Sequence, residues 1–219
     1  MQPTQQPKRT ARELRALIEH RLLDTHPSTD PATARSALGP ELDPLLEKII
    51  PKPLRAAAVL VPIVAHPTEL TVLFTQRSPN LRTHAGQVSF PGGRIEADDP
   101  DALAAAIRET EEEIGLGREF IAPAGYLDPH LAMSGFWITP VVAFVRPGFT
   151  LRVDHREVDD TFEVPLEFIL DPANHIPRER VVSGVTVPTL EFEHDGRRIW
   201  GATANMLLSF YRTIEIGSR

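Results

Sequence analysis

Three glutamates, Glu109, Glu112 and Glu113, stand at i, i+3 and i+4 in the run Ala106 to Gly115, AIRETEEEIG. On a helix those positions share one side, so their carboxylates come within reach of a common ion. From Glu96 to Glu113 there are eight acids against one arginine, a local charge of −7 that equals the net charge of the whole chain. Carboxylates crowded in this way repel one another. They protonate or splay apart unless hard cations with a preference for oxygen ligands, Mg²⁺ or Mn²⁺, neutralise them. A metal site of this kind behind a glycine turn, Gly92–Gly93, suits hydrolysis of a phosphoanhydride.

A metal-binding face needs an opposite face to anchor it. Leu103, Ala106, Ile107, Thr110 and Ile114 recur at helical spacing and form an apolar stripe. The three glutamates are expected to point well away from that stripe, with Glu111 solvated elsewhere. Pro100 and Asp101 suit a first turn and Gly115 a C-terminal stop. A Glu-rich helix in an acidic protein is more often a solvated surface face. The glycine pair, the loop acids and the order Arg-Glu-x-x-Glu-Glu-x-Gly favour the functional reading.

That order resembles the Nudix box, G-x5-E-x7-R-E-U-x-E-E-x-G-U, where U is a bulky aliphatic. Gly93, Arg108, Glu109, Glu112, Glu113, Gly115 and Leu116 match it. Two features depart. The first motif glutamate is replaced by an aspartate, with Asp98 and Asp99 both competing for the place; from Asp99 the gap to Arg108 is eight residues rather than seven. The aliphatic after Arg-Glu is Thr110. Glu96 is a further acid that could face the metal. Immediately upstream, LFTQRSPNLRTHAGQVSFPGG (Leu73 to Gly93) resembles L-L-T-x-R-S-x3-R-x3-G-x3-F-P-G-G, the mark of the coenzyme A pyrophosphatase branch. Thr75, Arg77, Ser78, Arg82, Gly86, Phe90, Pro91, Gly92 and Gly93 fall in place, with Phe74 replacing one Leu. The longer loop before Arg108 also looks like that branch.

The resemblance implies an α+β fold, the Nudix α/β/α sandwich with a mixed sheet, here with an N-terminal helical extension. It implies hydrolysis of coenzyme A or its derivatives to 3′,5′-ADP and 4′-phosphopantetheine. Glu109, Glu112 and Glu113 would hold Mg²⁺ or Mn²⁺, and Arg108 would orient the carboxylates, with Glu112 one turn on as its expected partner. The general base is open between a box glutamate such as Glu112 and Glu157, whose plainer reading is a surface carboxylate beside Arg156. Arg77 and Arg82 offer planar forks that grip phosphate oxygens, although either could simply pair with a nearby carboxylate. Gly92 and Gly93, with Gly86, permit tight turns or close approach. The rival readings are a Nudix hydrolase of another nucleoside diphosphate, such as ADP-ribose, and a ligand sensor that retains the fold without the chemistry.

Around these parts, residues 1–50 read as an extension with a disordered start (1–9), a helix over Thr10 to Leu23 and a second over Asp43 to Ile50; residues 51–219 read as the hydrolase domain. AAAVLVPIVA reads as a buried strand and Leu70 to Gln76 as its partner, followed after the box by Ala122 to Leu127 and Trp137 to Val145. A final helix is expected over Thr203 to Tyr211. Segments around Glu157 to Leu166, Ser134 to Pro140 and Trp200 to Ala204 extend the resemblance to about residue 210.

Composition fits one soluble domain with additions: 219 residues, 42% hydrophobic and 24% charged. No apolar run of about 18 residues and no secretory leader are seen, so a cytoplasmic location without membrane contact is the expectation. With no cysteine, thiolate catalysis, disulfides and Cys-based zinc sites are excluded. The eight histidines show no HExxH spacing, and His66, His84 and His130 read as isolated. Trp137, Trp200 and Tyr126 could stack on adenine but read better as core. A pI near 5.6 without a basic stripe argues against nucleic acid. The partner expected is a small-molecule substrate, coenzyme A or a derivative; a homodimer is left open.

Overall fold

The computed structural model describes residues 9–28, 50–182 and 185–217. The expected disordered start and the expected helix Asp43 to Ile50 lie outside the described residues, Arg9 and Ile50 excepted. Strand β1 (Arg55–Ala65) runs apolar for eight consecutive residues because both of its faces are covered. It pairs in parallel with β7 (Phe136–Val145) along its length, from Arg55 opposite Phe136 to Val64 opposite Val145. On its other side β1 has two antiparallel partners: β2 (Leu70–Arg77) meets Ile63 to Ala65, and β4 (Gly92–Arg94) meets Ala57 to Val59. Pro62 sits where these partners have parted, so its missing N–H costs no ladder bond there; two residues earlier the Leu60 N–H still reaches Pro91 O at 2.9 Å.

The remaining strands extend this sheet. β3 (Val88–Ser89) and β8 (Val158–Pro165) join β2, while β5 (Ile121–Tyr126) and β6 (His130–Leu131) join β7, giving eight strands of mixed direction. A small separate sheet consists of β9 (Ile176–Val182), β10 (Val185–His194) and β11 (Arg197–Ile199).

Alternating residues of β1 feed two layers. Val59, Val61 and Ile63 face a large core shared with α1 (Ala11–Leu22), the short α3 (Leu166–Leu170) and α4 (Ala202–Tyr211). Ala58 and Leu60 face Ala102, Ala105 and Ala106 of α2 (Ala102–Ile114), the acidic helix. Helix, sheet and helix therefore form three layers, as the α/β/α expectation required. Helix α1 starts on a capping box in which Thr10 and Glu13 satisfy each other's orphan donors. Its Leu14, Ile18 and Leu22 are buried in the main core, so this part of the N-terminal extension packs on the chain's own domain. No helix among the described residues is long and apolar enough to cross a membrane.

Candidate active site

Helix α2 begins at Asp101, whose carboxylate accepts from the Ala104 N–H, and stops at Gly115 in the left-handed conformation, φ 66°. Thr110 is fully buried, and its hydroxyl donates to Ala106 O at 2.6 Å, which satisfies the polar atom at a place where the family pattern has an aliphatic. The expected stripe holds for Ala106, Ile107, Thr110 and Ile114, whereas Leu103 is only partly covered.

The three glutamates do not share one environment. Their side-chain exposures are 4% for Glu113, 16% for Glu109 and 61% for Glu112, which ranks them from the innermost to the outermost. Glu113 therefore departs from the expectation that all three point away from the packed face. Its Oε2 accepts from the Gly92 N–H at 3.1 Å, and its Oε1 lies 3.9 Å from Nη1 of Arg77 at the end of β2. Glu109 lies against Gly93: a Cβ built on that glycine would fall 2.4 Å from the Glu109 carboxylate. Gly93 thus lets the Glu109 carboxylate approach β4, while Gly92 lies close on the β1 backbone and gives its N–H to Glu113.

Arg108 has a different first partner from the one expected. Its Nε and Nη2 donate to both oxygens of Asp99 at 3.0 and 2.9 Å, Nη2 also donates to Arg94 O at 3.0 Å, and Nη1 reaches Glu109 at 3.0 Å and Glu112 at 3.3 Å. Asp99, and not Asp98, therefore closes the loop onto the helix through a bidentate fork. The Arg108 guanidinium, with help from the Glu96 N–H, holds the Asp99 carboxyl below the usual carboxylate range. The sequence named Asp99 as one of two rivals; the extra residue in the loop hid which of them reaches back.

Glu157 enters the site by a route that spacing alone does not show. The Asp154 N–H donates to Glu113 O, the Glu157 N–H to Asp154 O, and the Ser78 N–H to Glu157 O, so the loop before β8 is pinned between the end of α2 and the residue after Arg77. Arg156 gives its guanidinium to Asp154, not to Glu157. The exposed Glu157 instead acts on Glu109 and Glu113 by charge repulsion. Arg82 lies in the exposed turn between β2 and β3, and no contact among the described residues ties it to the glutamates. His66 pairs with Glu163 at 2.7 Å, His84 with Gln87 at 2.9 Å, and His130 is buried in the protein, all away from this chemistry.

The electrostatics fit a divalent cation. Burial raises Glu113 to about 7 against the relief given by Gly92 and Arg77, and burial also raises Glu109 despite its bond to Arg108. Glu109, Glu113, Glu112 and Asp99 outnumber Arg77 and Arg108, the two cations that touch them, and hard oxygen donors of this kind suit Mg²⁺ or Mn²⁺. Among the described residues no three acids or histidines close on one point. Glu112 joins the inner pair only by swinging away from Arg108.

Residues 53–183, more than half of the chain, match the family model described as the NUDIX domain. The chain is 37% identical over 153 residues to proteins named "Uncharacterized Nudix hydrolase NudL" from Salmonella paratyphi B and Salmonella newport, covering 70% of this chain and 79% of theirs. Among solved structures, a MutT/nudix family protein from Enterococcus faecalis aligns over 80% of this chain and 68% of its own at 16% identity and TM-score 0.48. A C. elegans Ap4A hydrolase complex aligns over 51% and 80% at 21% identity and TM-score 0.44. By the family model over residues 53–183 and the 37% identity to the NudL proteins, the chain belongs to the Nudix hydrolase family.

Proposed function

We propose that this Nudix pyrophosphohydrolase cleaves the diphosphate of coenzyme A or a derivative, yielding 3′,5′-ADP and 4′-phosphopantetheine. The observation that carries the reading is the meeting of its two sequence motifs. Arg77 and Gly92–Gly93 of the upstream motif lie against Glu113 and Glu109 of the box. An arginine fork beside buried carboxylates gives an anionic diphosphate its counter-charge in a chain of net charge −7.

Glu109 and Glu113, joined by Glu112, would hold Mg²⁺ or Mn²⁺. Such an ion, when bound, would supply positive charge against the developing negative charge and would acidify water. Arg77, with about a quarter of its side chain exposed, would turn the open end of its guanidinium to the phosphates. Arg108 holds the loop and helix together through Asp99. In the reaction the oxygen of a water attacks phosphorus, the bond to the bridging oxygen breaks, and a carboxylate takes the water's proton. Glu157 is our choice for that base, because its backbone is pinned between the residue after Arg77 and the loop bonded to Glu113, and its charge is felt by Glu109 and Glu113.

Incubation of coenzyme A with the protein and Mg²⁺ or Mn²⁺, followed by mass spectrometry, tests the reading. Equal amounts of 3′,5′-ADP and 4′-phosphopantetheine are expected. Fast cleavage of ADP-ribose with no turnover of coenzyme A would reverse the substrate assignment, and binding of nucleotides without cleavage would point to a sensor.

A further inference from the structure

We infer that Arg55 and Arg94, held on the ring of Phe136, form a receptor for a phosphomonoester that the substrate carries apart from its scissile diphosphate. The inference rests on the proposed reading of the neighbouring site. The guanidinium carbon of Arg55 lies 4.0 Å from the Phe136 ring centroid and that of Arg94 lies 5.7 Å from it. Both arginines are exposed, and neither makes an ion pair with any carboxylate among the described residues. In a chain with 30 acids and 23 basic residues, two cations gathered on one ring without an acid are short of an anion. The ring holds the guanidinium groups by cation–π attraction and leaves their N–H edges for a ligand. Two such forks match the oxygens of a phosphate dianion.

Position links this pair to the diphosphate site. Arg94 follows Gly92–Gly93 on β4, and its carbonyl accepts from Arg108 Nη2 at 3.0 Å, so its backbone is fixed by the same clamp that orders the box. Along a strand successive side chains point to opposite faces. Gly93 therefore turns its open face to Glu109 while Arg94 reaches round the other side to Phe136. Arg55 is anchored from the far side by its Nη2, which donates to Ser134 O at 2.8 Å, and by its N–H, which donates to Gly135 O. The result is an exposed cationic pair one residue from the glycine pair and across the edge strand β4 from Glu109, suited to a phosphate that the substrate carries away from the bond being cut.

Calorimetric titration of the full chain with 3′,5′-ADP and with 5′-AMP tests the receptor without turnover. The wild type should bind 3′,5′-ADP tighter by roughly tenfold or more, the scale of charge-assisted hydrogen bonds. Arg94→Ala and Arg55→Ala should each move that ratio toward one, and Arg94→Lys should restore part of it. The ratio of KM for dephosphorylated and intact coenzyme A should collapse in parallel. Equal binding of the two nucleotides by the wild type, or equal weakening of both by Arg94→Ala, would overturn the receptor. A wild type that prefers 3′,5′-ADP yet cleaves no coenzyme A would uphold the receptor and sink the proposed substrate instead.

Discussion

Glu113 is the residue on which charge and fold conflict. Buried at 4% exposure beside one arginine at 3.9 Å, its carboxyl rises from 4.5 to about 7. Between those values the folded state binds a proton that the unfolded state has lost, so metal-free stability falls as pH rises from 4.5 to 7, by about 3 kcal/mol at the limit. Urea denaturation of metal-free His130→Asn, in which the opposing imidazole is absent, should show this loss between pH 5 and pH 8; adding Glu113→Gln should remove it, and Mg²⁺ should offset it at the higher pH. Glu113→Gln should also lower kcat by on the order of a hundredfold, as expected when a group that positions transition-state charge is lost. Glu157 makes a separable prediction. If it is the base, Glu157→Gln lowers kcat by about 10²-fold or more, while Mn²⁺ affinity by titration stays near wild type. An unchanged kcat would return the role to a box glutamate.

At the scale of the element, β4 and α2 behave as one unit, and the two glycines of β4 report different halves of it. Gly92 has φ 145°, and a Cβ there would meet Ala58 O at 2.4 Å and Val59 Cα at 2.6 Å, both backbone atoms. Gly92→Ala should therefore lower the melting temperature. Gly93 lies outside the left-handed region, and the nearest atoms to an added Cβ would be those of the movable Glu109 carboxylate. Gly93→Ala should keep the fold and lose activity, a contrast that circular dichroism with a rate assay would resolve. The loop follows the same logic: Asp99→Asn removes half of the Arg108 clamp and should cost activity about tenfold or more, with Asp98→Asn near neutral. The residue types of α2 were legible because a helical period and a proline–aspartate start and glycine stop are local signals. The burial of Glu113 was not, because it depends on β4 arriving from another part of the chain. The bond of Arg108 to Asp99 was not legible: helical spacing pointed to Glu112, and an irregular loop carries no period by which to choose between Asp98 and Asp99. β9 and β10 escaped notice altogether: Glu191 is buried between Arg178 and Arg198, so ion pairs stand where an apolar alternation would have signalled strands.

Across the whole molecule, the long apolar strands β1, β2 and β7 announced a sheet covered on both faces, yet their order and mixed direction come from pairings that no single segment encodes. The role of α1 is of this kind. Its amphipathic period was visible, but only the fold shows that Ile18, with no exposed surface, belongs to the same core as Phe74 and Phe210. Ile18→Ala should cost about 2 to 5 kcal/mol in chemical denaturation, with kcat retained in the fraction that stays folded. His130 supplies the opposite pH signature to Glu113. Burial lowers its imidazole from 6.5 to about 4, so the unfolded chain takes up a proton that the folded chain refuses, and stability falls as pH drops from 6.5 to 4. Between pH 4.5 and 6.5 the His130 slope and the opposite Glu113 slope offset each other, so the metal-free wild type should be nearly flat there. His130→Asn should unmask the fall toward neutrality and Glu113→Gln the fall toward acid. A flat profile in either single variant would show that the two groups titrate as one network rather than as separate buried sites.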